Sequence, residues 1–223
     1  MIKYNINIRS MVLSSFIGDA LALGVHWIYD AEKIKNIYGR VGEYIKPPKG
    51  SYHAGKAAGD FTHYGDQTLI LFESTAQRGG FDVSDFSSRW QWLFENYRGY
   101  VDGATRETLE NLEHGLAPLK AGSPSNDLAG ASRIAPIVFM YERDEDAMVY
   151  ASRTQTRMTH SNPDVVDAAE FFAKVTKKVL DGEAPAIAIG KIAEERFRES
   201  PIREWVKKGL ASLKALSEAA VKQ

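Results

Sequence analysis

Helical spacing of apolar residues runs through almost the whole chain and constrains its fold more than any other feature. Apolar side chains three or four residues apart lie on one face of an α-helix. Three segments show this spacing clearly, namely Phe86-Trp90-Leu93-Tyr97, Val165–Val179 and Ile202–Leu216. No segment alternates apolar and polar residues as a half-buried strand does. The sequence therefore predicts an all-α fold, which we expect to be one compact helical domain over residues 1–223.

The boundaries of the predicted helices follow from these apolar stripes and from residues that start helices. Asp82, Asp144 and Asn162 each precede an apolar run and can accept hydrogen bonds from the unpaired N–H groups of a first turn. Residues 39–65 carry no helical pattern, and a connection of that length is usually functional or disordered. We predict helices over residues 9–23, 66–78, 83–98, 104–117, 130–142, 145–157, 163–181, 185–198 and 201–220.

The composition excludes several classes of protein. The chain has 28 basic and 29 acidic residues, so it lacks the basic excess of proteins that bind nucleic acids or membrane surfaces. It contains no cysteine, which excludes disulfides, thiolate metal sites and cysteine nucleophiles and fits a reducing cytoplasm. No apolar run reaches membrane-spanning length, and the N-terminus does not have the pattern of a signal peptide. We therefore expect a cytoplasmic protein without a nucleic-acid or membrane partner.

One stretch has the spacing of a nucleotide-binding phosphate loop. Gly50, Gly55 and Lys56 match that motif, but the following residue is Ala57, which has no hydroxyl group for magnesium. The strand that should precede the loop is excluded by two consecutive prolines at 47–48. We interpret the match as a coincidence.

Two carboxylates have both a structural and a functional interpretation. Asp19 lies inside an apolar helical segment, where an unpaired charge is costly, so either a salt bridge at the helix rim or a ligand explains it equally well. Asp66 follows a loop rich in oxygen donors, which suits a hard cation such as magnesium. An aspartate at a helix start is also an ordinary N-cap, and the sequence around Asp66 by itself favours that interpretation.

Polar residues further along the chain could hold an anion. His160 precedes the helix that starts at Asn162-Pro163, and a helix N-terminus attracts phosphate. Arg133, approached through a segment that begins at Asn126, could bind a phosphate or carboxylate with two hydrogen bonds, or pair with Asp19 or Asp66. A turn histidine exposed to solvent is the simpler interpretation of His160.

Four motifs occur together in a characteristic order. They are Gly18-Asp19-Ala20-Leu21, Gly65-Asp66-Gln67-Thr68, Arg133-Ile134-Ala135-Pro136 and Thr159-His160. This order resembles the ADP-ribosylglycohydrolase family, whose members cleave the glycosidic bond between ADP-ribose and a protein side chain. The chain is also similar to a branch of that family that includes the J-type lens crystallins of jellyfish, in which the fold is structural. The resemblance implies an all-α orthogonal helical bundle.

The resemblance also implies a set of functional residues. In the family, magnesium ions orient the ribose and the attacking water, and other motifs hold the ADP-ribose. Carried onto this sequence, the implied residues are Asp19, His26 and Asp66 for catalysis, His63, Tyr64, Asn126, Arg133 and His160 for ligand binding, and Asp66 with Thr68 for magnesium.

The chain departs from the family pattern at three points. The metal motif of the family reads Thr-Asp-Asp-Thr, and here Gly65 and Gln67 replace its first threonine and second aspartate. His26 stands where many family hydrolases have a glutamate. The C-terminal Gly-Gly-Asp-Thr-Asp-type metal motif is not found, so we expect a shortened chain, for which self-association into a homo-oligomer is one outcome. The sequence thus leaves two functions open: a magnesium-dependent hydrolase of ADP-ribosylated substrates, and a non-catalytic ligand-binding or structural relative.

Overall fold

The described part of the chain is built from helices and connecting segments. The computed structural model describes residues 6–221, and the side chains of residues 6–213. No strand occurs within residues 6–221, where the only bridge pairs Ser123 with His160. The α-helices are α1 Ile6–Ala22, α2 Ala31–Tyr38, α3 His63–Arg78, α4 Val83–Glu95, α5 Gly103–Glu113, α6 Pro118–Ala121, α7 Ala135–Met140, α8 Glu145–Thr159, α9 Pro163–Leu180, α10 Pro185–Arg196 and α11 Ile202–Val221. The all-α prediction is confirmed.

Residues of the predicted α9 stripe and Phe86, Trp90 and Leu93 of the predicted α4 stripe pack in the core. Tyr97, the last residue of that stripe, lies beyond the end of α4 and contacts Asp66 instead. Phe86 and Trp90 of α4 are fully buried, and Val165 and Ala169 of α9 lie in the same cluster. The third stripe is only partly buried, because Ile202 is 2% exposed while Trp205 is 51% exposed. The side chain of Leu216, which also belongs to that prediction, lies outside the described residues. Removal of these apolar surfaces from water supplies the main favourable free energy of folding.

Helix starts follow capping chemistry, with one correction. Asp82, Asp144 and Asn162 each accept a hydrogen bond from a backbone N–H in the first turn that follows. The prediction that α3 begins at Asp66 is wrong, because Thr62 caps this helix through Tyr64 N and the helix begins at His63. Asp66 therefore lies one turn inside α3, and its carboxylate is available for other contacts.

Three other features differ from the predicted helices. The predicted helix over 130–142 is a 3-10 turn, Ala131–Arg133, followed by the short α7, because Pro136 has no N–H to continue a helical ladder. Helix α2 was not predicted, although Ile34, Ile37 and Tyr38 have helical spacing and Asp30 caps its first turn, because the pattern covers only eight residues. The short α6 was also not predicted. Residues 39–62 contain no helix, which confirms most of the predicted irregular segment.

The first helix requires a correction to the membrane analysis. Residues Ile6–Val25 form a 20-residue stretch of mean hydropathy 1.4, which by length and composition alone is enough to cross a membrane. The prediction that no apolar run reaches that length is therefore wrong. Core helices and signal sequences meet the same criterion, and 28% of this stretch is buried inside the fold.

Candidate functional site

Asp19 ties α1 to the start of α3. One carboxylate oxygen accepts a hydrogen bond from the Thr62 hydroxyl at 2.6 Å, and the other accepts from Thr62 N at 2.7 Å. Burial raises the pKa of Asp19 above its ordinary value, although the two bonds from Thr62 oppose that shift. Among the residues whose side chains the structure describes, Asp19 forms no salt bridge. Neither Asp19 nor Asp66 is a hydrogen-bond partner of Arg133.

Gly65 makes the close approach of Asp19 to α3 possible. A β-carbon at position 65 would overlap the Asp19 carboxylate and would lie 2.8 Å from the β-carbon of Phe61. The threonine that the family motif has at this position would therefore not fit the observed arrangement. The replacement of that threonine by glycine and the position of Asp19 are linked.

We expect Gly65→Ala to destabilise the protein by about 1–3 kcal/mol, since the added methyl group must displace Asp19 or the loop. Gly18→Ala is a matched control, because a β-carbon at Gly18 meets no atom within 4 Å and alanine is the better helix former. Chemical denaturation of both variants measures the difference. Equal stability of the two variants would contradict the proposed packing.

Asp66 is held by two donors rather than left open to an ion. Lys56 Nζ lies 2.5 Å from Asp66 Oδ2, and the Tyr97 hydroxyl donates to the same oxygen. The Lys56 ammonium also lies 5.3 Å from the centre of the Tyr97 ring. Sequence analysis named Lys56 only in the phosphate-loop match and Tyr97 only in an apolar stripe. It did not connect either residue with Asp66, because their separations from Asp66 along the chain follow no periodic pattern.

The other residues of the metal motif face away from Asp66. Thr68 Oγ1 donates to Tyr64 O at 2.8 Å inside the helix. Gln67 is 1% exposed, and its carbonyl oxygen accepts hydrogen bonds from Trp90 Nε1 and Arg133. Among the residues with described side chains, no three His, Cys, Asp or Glu groups could hold a metal ion together. This donor set does not fit a divalent cation in the observed arrangement.

Arg133 is enclosed in the core. It is 1% exposed, and its guanidinium donates to Gln67 at 2.6 Å, to Thr159 at 2.6 Å and to Gln155 at 3.2 Å. The Phe86 ring lies 5.8 Å from its central carbon. All of these contacts of Arg133 are structural. Its ligand-binding role stays a prediction.

His160 is buried, not exposed as a turn residue would be. It is 2% exposed, with Nδ1 2.9 Å from Thr159 Oγ1 and Nε2 3.1 Å from Asp127 Oδ1. This contact holds the pKa of Asp127 well below its usual range, and the backbone N–H of Ala129 adds to the effect. His160 thus positions Asp127, which sequence analysis did not select as a site residue.

Asp127 lies where two neighbouring cavities meet, which we call together the cleft. The first cavity, of about 440 Å³, is lined by Trp27, Tyr29, Tyr52, Tyr64, Tyr100, Asp102, Gly103 and Asp127. The second, of about 620 Å³, shares Gly103 and Asp127 with the first and includes Asn126. The structure thus places two of the predicted ligand-binding residues, Tyr64 and Asn126, in the cleft. Tyr64 also lines a separate cavity of about 210 Å³ that contains Asp19 and Thr68.

Three histidines pack behind the aromatic side of the cleft. His26 Nδ1 lies 2.7 Å from His53 Nε2, and the rings of His53 and His63 are stacked with centres 5.7 Å apart. His63 is fully buried, and neither of its ring nitrogens has a hydrogen-bond partner among the described residues. Burial lowers the pKa values of His26 and His63 to about 4 and also lowers that of His53. The three rings are therefore neutral near pH 7.

The predicted site residues thus fall into four groups, one of which is the pair Tyr64 and Asn126 that lines the cleft. Asp19, Asp66 and Thr68 lie around the start of α3, while His26 and His63 lie behind the cleft. Arg133 is in the core, with His160 buried beside the cleft. Sequence analysis missed Lys56, Tyr97, His53, Tyr52, Tyr100, Asp102 and Asp127. Three of these stood in a sequence pattern: Lys56 in the phosphate-loop match, Tyr97 in an apolar stripe, and Asp102 before the predicted helix 104–117, where a cap would stand.

Comparison with known proteins gives the same family over nearly the whole chain. The family model described as ADP-ribosylglycohydrolase matches residues 3–223. A solved structure titled ADP-ribosylglycohydrolase-related protein complex is 26% identical, with a TM-score of 0.63, over 86% of this chain and 67% of that one. This similarity supports the ADP-ribosylglycohydrolase-like all-α architecture that the sequence resemblance implied.

Two curated relatives are considerably longer than this chain. A protein of Archaeoglobus fulgidus named as uncharacterized is 27% identical over 175 residues, which is 78% of this chain and 56% of that protein. Crystallin J1A of Tripedalia cystophora is 23% identical over 197 residues, which is 79% of this chain and 59% of the crystallin. The chain therefore spans less than two thirds of each of these relatives.

Proposed function

Because this chain belongs to the ADP-ribosylglycohydrolase family, we propose that it is a ligand-binding member that does not carry out magnesium-dependent hydrolysis. Members of this family act in general on ADP-ribosylated substrates. The similarity to crystallin J1A fits a non-catalytic relative. Because fold and activity are separable, the argument has to come from the site.

The ion pair between Lys56 and Asp66 carries the proposal. A magnesium ion at Asp66 would have to displace an ammonium group that already neutralises the carboxylate at 2.5 Å. The side chains of Lys56 and Asp66 are only 16% and 18% exposed, so solvent weakens this pair less than it would weaken one on the surface. Gln67 could contribute only by leaving its buried hydrogen bonds to Trp90 and Arg133.

The cleft is the proposed binding site. Its first cavity provides aromatic faces, and its second is bordered by Gly103 and Asn162, which lie at the N-termini of α5 and α9. Polar ligand atoms can accept hydrogen bonds from such N-termini. ADP-ribose is the first candidate ligand because of the family. A cytoplasmic location remains a prediction that rests on the cysteine-free sequence.

Hydrolysis is the second candidate, and the position of Asp19 favours it. Asp19 has a raised pKa, to which burial contributes most and the nearby charge of Asp66 also contributes, and its carboxylate lies against Gly65. A carboxyl group with a raised pKa suits proton transfer in glycosidic cleavage. In this reading Asp19 or His26 would transfer the proton, and Asp66 with Thr68 would need a different arrangement to bind magnesium.

Release of ADP-ribose from ADP-ribosylated peptides, with and without magnesium, distinguishes the two candidates. We expect no magnesium-dependent release of ADP-ribose and no magnesium-dependent rise in melting temperature, because the Lys56 ammonium group already pairs with the Asp66 carboxylate. An active member of the family, assayed in parallel, controls for the substrate. Magnesium-dependent turnover that is lost in Asp66→Ala would reject our proposal and establish the hydrolase.

A further inference from the structure

The first cavity of the cleft combines aromatic walls with negative charge. Its lining includes one tryptophan, four tyrosines and two aspartates, and among the described residues that line it there is no lysine or arginine. A phosphate group would be repelled by the carboxylates of Asp102 and Asp127. A cation would be attracted both by these charges and by the electron-rich ring faces.

The aromatic wall is held in a fixed arrangement. The rings of Trp27, Tyr52 and Tyr100 pack against one another in pairs, each with centres 4.9 Å apart and with interplanar angles of 70–86°. Trp27 also stacks on His26, with ring centres 4.4 Å apart. The backbone of Trp27 has φ of 64°, which is unfavourable for a bulky residue. Strained residues of this kind cluster at ligand sites, where the surrounding packing maintains them.

The negative charge persists at neutral pH. The His160 contact and the Ala129 N–H keep the pKa of Asp127 well below its usual range. Burial raises the pKa of Tyr64, and the nearby charges of Asp127 and Asp102 raise it further. The tyrosine is therefore neutral. The described lining of the cavity contains no lysine or arginine, and the nearest basic groups are two buried histidines, His160 at 3.1 Å from Asp127 and His63 at 3.5 Å from Asp102.

The carboxylate oxygens already accept hydrogen bonds from the protein. Asp102 accepts from Thr105 N at 2.7 Å with one oxygen and from Thr105 Oγ1 at 2.8 Å with the other. Asp127 accepts from Ala129 N at 2.8 Å and from His160 with one oxygen, and from Ser125 Oγ at 2.9 Å with the other. Of the roughly four acceptor positions of an ionised carboxylate, Asp102 thus uses two and Asp127 uses three, and no carboxylate oxygen is without a hydrogen bond.

This combination selects among cations. When a guanidinium or primary ammonium group enters a cavity, its N–H groups lose their hydrogen bonds to water and need new acceptors from the protein. A guanidinium binds best to a carboxylate whose two oxygens are both free. A quaternary ammonium group has no N–H donor and presents methyl groups to the rings. It therefore needs charge and aromatic surface, which are the two properties that the cavity provides.

We propose that the aromatic cavity between Trp27 and Asp127 binds a small ligand with a quaternary ammonium head. The proposal rests on that part of the proposed function which makes the cleft a binding site, and it does not depend on whether hydrolysis is absent. ADP-ribose has no quaternary ammonium group, so the proposed ligand is a different one for the aromatic cavity, and the second cavity remains open to ADP-ribose or to the rest of a larger ligand.

Calorimetric titration of the full chain with choline chloride tests this proposal. The reference ligand is the neutral isostere of choline, in which carbon replaces nitrogen. We expect choline to bind about tenfold more tightly, since a cation–π contribution of about 1.4 kcal/mol corresponds to that ratio. Equal affinity of the two ligands, or no binding of choline, would overturn the proposal. Tighter binding of methylguanidinium than of choline would do the same.

Two test substitutions at exposed positions, Tyr52→Leu and Asp127→Asn, each paired with a control, locate the site without disturbing the core. Tyr52 is 65% exposed, so we expect Tyr52→Leu to fold and to weaken choline binding about tenfold, while Tyr150→Leu, 68% exposed on α8, leaves it unchanged. Asp127→Asn should weaken choline binding but not binding of the neutral isostere, and Asp146→Asn is its control. Unchanged choline affinity in both Tyr52→Leu and Asp127→Asn would place any binding elsewhere and reject this cavity.

The outcomes separate this inference from the proposed function. Choline binding together with magnesium-dependent hydrolysis would reject the loss of catalysis and keep the cation site. Absence of choline binding together with absence of hydrolysis would reject the cation site and keep the non-catalytic assignment.

Discussion

Replacing Arg133 by alanine is expected to lower the free energy of unfolding by roughly 3–5 kcal/mol, the range seen when a large buried side chain is truncated. The loss of the guanidinium removes hydrogen bonds to Gln67, Thr159 and Gln155, which are all buried. A buried polar group left without a partner costs a further share of stability. For a chain of this size we expect a melting temperature about 10 °C lower.

Arg157→Ala is the matched control for this prediction. Arg157 is exposed on α8, so its loss should change stability by no more than about 0.5 kcal/mol. If Arg133 instead held a ligand and had no structural role, Arg133→Ala would keep the melting temperature of the wild type and lose only ligand affinity. Thermal denaturation and calorimetry on the same preparations therefore distinguish the two roles.

Acidification from about pH 6.5 to about pH 4.5 is expected to destabilise the protein through its buried histidines. In the folded state the pKa values of His26 and His63 are lowered to about 4 from an ordinary 6.5. Between these values the unfolded chain binds protons that the folded chain does not, so stability is complete above 6.5 and falls as the pH approaches 4. For the fully buried His63 this corresponds to about 3 kcal/mol at most.

Other groups near the histidines change the size of this effect but not its window. Asp102 favours protonation of His63, while Lys56 opposes protonation of His53. Asp127, whose pKa is lowered, loses its contribution only below its ordinary value of 3.8. Asp19 acts in the opposite direction, because its raised pKa lets the folded state take up a proton before the unfolded state does.

Urea denaturation at a series of pH values measures the effect. His63→Phe should flatten the dependence, because it removes a ring whose pKa is lowered by burial. The variant should fold, since the ring nitrogens have no hydrogen-bond partner among the described residues and the nearest carboxylate oxygen, Asp102 Oδ2, is 3.5 Å from Nε2. The exposed His114 is the control, and His114→Asn should leave the slope unchanged. A slope that is the same in His63→Phe as in wild type would show that other groups cause the acid sensitivity.

Local patterns in the sequence predicted most of the helices. The apolar stripe of α9 and the caps at Asp82 and Asp144 depend on residues within one or two turns, so spacing alone reveals them. The prediction failed at short elements, where a local pattern covers few residues. Helix α2 buries nothing, and the break before α7 depends on how Pro136 is accommodated by its surroundings.

The sequence by itself determined the helical class, the family and most of the residues that meet near α1 and α3. Only the tertiary structure decided what these residues contact. Asp66 lies beside Lys56, ten residues away in an irregular segment, and Arg133 reaches Gln67 across 66 positions. The aromatic cavity likewise joins Trp27 to Asp127. Such contacts join residues that are far apart along the chain, and they depend on how irregular segments pack against the helices. The spacing of residues along a chain predicts helices but not this packing.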